Sequence, residues 1–223
     1  MPNFVYIMGA GLCIITAGLL AFSVIFEQKR LNSRKSTVTK ELTAIAVFAA
    51  LCAVVNIIEI PTQLNKISFT MLFALFAGVI FGAPRAFIVC FIGDLVAALI
   101  FPQGPYNLIL GLTSGFMGFI AGAIFEIRGL HKLIKSVIAL VIMYLICSVF
   151  LNSFALYFMY NIGNEKGYGT YLVYRMVTQL ISFGINLVAG VFATVPIIKV
   201  KNIIYGRVST TTVIENDTKE ENL

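Results

Sequence analysis

Seven long apolar stretches run through this chain, and of its sixteen Lys and Arg only Arg175 lies inside one of them. It is not isolated from other polar groups. Tyr171, Arg175, Gln179, Ser182 and Asn186 follow i, i+4, i+8, i+11, i+15 spacing, which lines them along one face of a helix. A guanidinium flanked by an amide and hydroxyls suits the recognition of a carboxylate or another acceptor-rich anion. Asp94 sits within an earlier stretch, and Asn152, Tyr157 and Tyr160 sit in or at the end of the stretch before the last. A charge at the middle of an apolar helix costs about 2.5–3.5 kcal/mol on insertion scales, so these groups must face a partner or a water-filled cavity. Two readings stay open: a pocket for a polar, anionic small molecule, or an Asp94–Arg175 pair that only locks two helices.

The elements that carry these residues belong in a bilayer. Hydrophobic residues make up 59% of the 223 positions and charged residues 12%, against about 45–50% and about 25% in soluble domains. Mean hydropathy is +0.95. The net charge of +6 comes from short basic segments beside apolar spans. There it sets membrane orientation, and no nucleic-acid partner is expected. Cys13, Cys52, Cys90 and Cys147 all lie in apolar runs without CxxC or Cys/His spacing and read as small core residues.

The spacing predicts helices near 4–26, 43–60, 67–82, 85–101, 108–126, 133–160 and 171–198. Helices are the expected form, since lipid offers no partner to an open sheet edge. The third and fourth run short of the ~20 residues that cross a bilayer and must be buried or tilted. Pro61, Pro84, Pro102, Pro105 and Pro196 fall at or beyond the expected helix ends. With the N-terminus outside, thirteen Lys and Arg lie inside and two, Lys66 and Lys166, lie outside. That asymmetry predicts a multi-pass cell-membrane protein with its N-terminus out and C-terminus in. Residues 1–26 lack a basic residue before the apolar run and have Glu27, Lys29 and Arg30 after it, the polarity of an anchor rather than a cleaved signal. On this topology Arg175 lies about 10 Å below the outer end of its helix, at a depth comparable to Asp94 and Asn152.

Catalytic patterns point nowhere. There is no G-x-x-x-x-G-K-S/T phosphate loop, so any ATP-driven work requires a partner. Leu112-Thr113-Ser114-Gly115 faintly resembles an intramembrane serine protease site, but His131, the sole histidine, falls in an inside loop away from Ser114. No enzyme activity, cofactor or metal is expected. Two outside loops are candidate flaps: residues 101–107, with Phe101, Gln103, Tyr106 and Asn107, and residues 60–67. Small-residue spacing at Ala46, Ala49, Ala50 and Ala53, at Ala74, Gly78 and Gly82, and at Gly111, Gly115, Gly118 and Gly122 predicts close helix contact. The alanine face serves either this bundle or another protein.

Three segments carry a family resemblance. They are Ala44-Ile-Ala-Val-Phe-Ala-Ala-Leu-Cys-Ala53, Gly93-Asp94-Leu-Val-Ala-Ala-Leu-Ile-Phe-Pro102-Gln-Gly-Pro-Tyr106, and Tyr171-Leu-Val-Tyr-Arg175-Met-Val-Thr-Gln179. In this order the run from Lys40 to Lys199 resembles the substrate-binding S component of energy-coupling-factor (ECF) vitamin transporters, most of all the folate-specific members. The resemblance implies an all-α integral membrane protein built on a six-helix bundle, here with one extra N-terminal transmembrane helix. Three regions follow: residues 1–35 as that helix and a basic linker, 36–201 as the binding domain, and 202–223 as a polar cytoplasmic tail. It implies a vitamin ligand, a transmembrane coupling subunit and two ATPase subunits as partners. By resemblance, Ala46, Ala50 and Ala53, together with Ala49, meet the coupling subunit. Asp94, Gln103, Tyr106, Asn107, Asn152, Tyr157, Arg175 and Gln179 form the expected substrate site. Folate fits, having carboxylates for an arginine and a pterin edge for amides. The chain has no Trp, so Phe101, Tyr106, Tyr157 and Tyr160 would supply aromatic faces. Riboflavin, pantothenate and thiamine or queuosine precursors stay open as the vitamin, and so do a stand-alone secondary carrier and a structural membrane protein.

Overall fold

The computed structural model describes the backbone of residues 38–58, 60–61, 66–102, 106–127, 129–159 and 167–220, and side chains over 41–58, 68–102, 106–127, 129–157 and 167–202. The expected span at 4–26, the region 1–35 around it, Gln103 and Tyr160 lie outside the described residues. Six helical rods follow one another: α1 (Val38–Ile57), α2 (Thr70–Phe81), α3 (Ala83–Ile100), α4 (Leu108–Glu126), a rod made of α5 (Lys132–Ile142), a π-helical segment (Met143–Leu151) and α6 (Asn152–Met159), and α7 (Tyr168–Glu220). The all-α architecture read from hydropathy is the one observed.

The short rods sit where short apolar rods must sit. Twelve residues of α2 rise about 18 Å, well under a ~30 Å hydrocarbon core. Its Ala74, Leu75, Ala77, Gly78, Val79 and Ile80 are all buried, between α4, α7 and α3. Gly82 turns the chain from α2 into α3 at φ +81, a conformation costly for any residue with a Cβ. Pro84 then occupies the first turn of α3, where its missing N–H is not needed.

Close approach of backbones holds the rods together, as expected for association in lipid. A Cβ on Gly78 would lie 2.5 Å from Ala121 Cβ and Gly122 N, and one on Gly118 would lie 2.5 Å from the Ala86 carbonyl. These contacts seat α4 against α2 and α3. The same rule divides the alanine face of α1. Ala49 and Ala53 are buried against α3, where a Cβ on Gly93 would lie 3.0 Å from Ala49 O and 3.3 Å from Ala53 N. Ala46 and Ala50 are exposed, beside Leu42, Val47, Leu51 and Val54, all outward-facing. At one end, Arg85 of α3 pairs with Glu41 of α1 at 3.3 Å.

Three features depart from the expected layout. The 60–67 loop closes on a minimal antiparallel hairpin, β1 (Ile60–Pro61) with β2 (Lys66–Ile67), in which Ile60 faces Ile67 and Pro61 faces Lys66. Residues 143–151 adopt π winding inside a continuous apolar rod. The last helix runs 53 residues to Glu220 with Pro196 inside it, so Pro196 does not end a helix. Proline removes one hydrogen bond, which a long transmembrane helix tolerates. Across its apolar window, α7 is only 17% buried, against 44% for α3 and 56% for α4.

Candidate functional site

Asp94 is the junction of a polar path through the bundle. Its Oδ1 accepts from Ser114 Oγ of α4 at 3.0 Å and from Asn56 Nδ2 of α1 at 3.4 Å. Asn56 Oδ1 in turn accepts from Thr70 Oγ1 at 2.8 Å, and Thr70 shares a 2.5 Å hydrogen bond with Ser68. The Ser68 carbonyl accepts from Asn186 Nδ2 at 2.8 Å and from Ser182 Oγ at 3.3 Å. Asn186, wholly buried, also accepts from Leu72 N at 3.2 Å. Two neutral side chains thus donate to the carboxylate, and among the described residues no arginine pairs with it. The interhelical Asp94–Arg175 lock is not formed.

Ser182 and Asn186 therefore tie the strand after the hairpin to α7, and the upper part of the stripe is left for other work. There Tyr157 of α6 packs its ring 5.2 Å from Tyr168 and 5.5 Å from Tyr171. One turn below Tyr171, Arg175 is half-buried, and its Nε is buried with no hydrogen-bond partner among the described residues. Another turn on, the Gln179 carbonyl accepts from Ser148 of the π-helical segment. A cluster of mutually tilted tyrosine rings, a guanidinium whose buried Nε has no partner among the described residues and an oriented amide thus follow each other along α6 and α7. Asn152 is half-buried at the first position of α6.

The 101–107 loop approaches from the Asp94 side. Tyr106 stands over Gly111, in the volume that a Cβ there would need. Burial, and next the charge on Asp94, push the Tyr106 phenol from 10.0 up to about 12. It is a neutral hydrogen-bond donor throughout the physiological range. Asn107, one of the expected substrate-site residues, caps α4 with its side chain, accepting from Ile109 N at 2.9 Å. His131 caps α5, accepting from Leu133 N at 3.4 Å.

Asn56, Thr70, Ser114 and Ser148 went unnoticed as members of the site. The available signal was the one that exposed Asp94: a polar side chain within an apolar span. Ser114 was weighed only against the distant histidine.

Among the described residues the chain is an all-α bundle of six rods with four helices long and apolar enough to cross a membrane and a polar path running between them. The family model described as "ECF-type riboflavin transporter, S component" matches residues 35–204, and the chain belongs to that family. Among solved structures, "Crystal structure of FolT bound with folic acid" shares the fold with a TM-score of 0.61 and 24% sequence identity, covering 70% of this chain and 93% of that chain. Comparison with curated proteins finds no match.

Proposed function

We propose that this chain captures a folate-like vitamin from outside the cell and delivers it inward with a transmembrane coupling subunit and two ATPase subunits. The observation that carries the reading is the buried Arg175 Nε without a partner among the described residues, set between a tyrosine cluster and Gln179. Burying a donor unpaired costs about 1–3 kcal/mol, more for a charged group, and a ligand carboxylate would remove that cost. Folate joins carboxylates to a flat ring that tyrosines can stack on. The fold likeness to a folate-bound protein supports it. So does the S-component family, whose name implies a vitamin ligand and ECF partners.

Riboflavin is the second reading, favoured by the description of the family model. It has no carboxylate, so binding it would leave Arg175 without a counter-charge. The test is thermal unfolding of the purified protein with each vitamin. A ligand at a hundredfold excess over Kd stabilises by about 2.7 kcal/mol. Folate is expected to raise the melting temperature, and a rise with riboflavin but none with folate overturns the substrate assignment.

A further inference from the structure

The π-helical segment is bolted to α7 on both sides of Gln179. Tyr144 Oη donates to the Met176 carbonyl at 2.6 Å, and its ring lies 4.5 Å from that of Phe183. Between these contacts Ser148, 4% exposed, donates to Gln179 Oε1. A π turn widens the helix by one residue and commonly marks a functional site. Here it brings a hydroxyl from the neighbouring rod against one side-chain amide. With the amide oxygen held by Ser148, Gln179 offers a ligand chiefly its NH₂, and Arg175, one turn away, has only N–H donors. We propose that Ser148 is a positioning residue: it orients Gln179 so that the two side chains make a face of donors alone, which takes the anionic end of the ligand and turns away groups that must themselves donate.

This inference rests on the vitamin-binding reading, and it assigns the end of the ligand that α7 receives. The test uses the full chain and isothermal titration with two probes, folate and 6-methylpterin, which lacks the carboxylates. Ser148→Ala should weaken folate binding about tenfold, the size of one hydrogen bond to a charged group, and leave 6-methylpterin unchanged. Ser148→Thr, which keeps the hydroxyl, should restore folate affinity. Gln179→Glu, nearly isosteric, keeps an acceptor for Ser148 but repels an anion, so it should lose folate selectively too and stands in if the serine variant does not fold. Equal losses for both probes, or none for either, overturn the proposal.

If the unaltered protein binds riboflavin and not folate, the folate assignment fails while the donor face is still decided, by riboflavin 5′-phosphate against riboflavin. A selective loss of the phosphate form in the variants upholds it. Equal effects, or no binding of the phosphate form at all, overturn it.

Discussion

The phenol of Tyr106 occupies the space above Gly111, so a loop residue and a helix residue share one volume. Gly111→Ala must therefore push the ring off its seat. Overpacking of this kind costs about 1–3 kcal/mol. Because Tyr106 belongs to the loop facing Asp94, the expected result is weaker vitamin binding with the fold retained, read as a smaller ligand-induced rise in melting temperature. Gly111→Ala in a Tyr106→Ala background should cost much less, since the space is then vacant.

Arg175→Gln separates a ligand-binding cation from a structural one. With no partner for its Nε among the described residues, its removal should leave the melting temperature of the ligand-free protein unchanged or higher, while affinity for an anionic vitamin falls at least tenfold. A drop in ligand-free stability of several degrees would give the guanidinium a structural role instead.

Asp94 gives the opposite pattern. Ser114 and Asn56 both donate to it, so Asp94→Ala strands two donors inside the bundle and should destabilise the ligand-free protein by about 1–3 kcal/mol. Asp94→Asn retains an acceptor and should recover most of that loss. Denaturation in detergent, monitored by the intrinsic tyrosine signal, ranks the variants.

The two halves of the alanine face should part company on mutation. Ala50→Arg, on the exposed side of α1, should leave vitamin binding intact and stop uptake in cells carrying the coupling subunit and ATPases. Ala53→Arg, buried against Gly93, should prevent folding. Binding by purified protein alongside uptake by cells measures both.

Helix positions were legible because hydrocarbon requires long apolar segments and proline marks their ends: Pro84 and Pro102 flank α3 as read. What could not be read was rotation about each helix axis. In water the apolar stripe of a helix points to the core, but here core-facing Ala49 and lipid-facing Val47 are equally apolar, so the pattern does not say that Asp94 turns toward Ser114 and Asn56 and not toward Arg175. The π turn was invisible for a related reason: Met143 to Leu151 contains no glycine or proline to announce a change of winding. The helix-capping role of Asn107 was not legible either, because an asparagine before an apolar run fits a flap and a helix cap equally well.

Low burial of α7 has one more consequence. In hydrocarbon, an apolar side chain loses little when lipid replaces a neighbouring helix. This helix therefore stays in place through a few discrete polar clasps: Ser68 with Asn186, Ser136 with Thr194 at 2.6 Å, and Tyr144 with Met176. Detaching this one helix from its neighbours is thus largely a matter of opening those few hydrogen bonds.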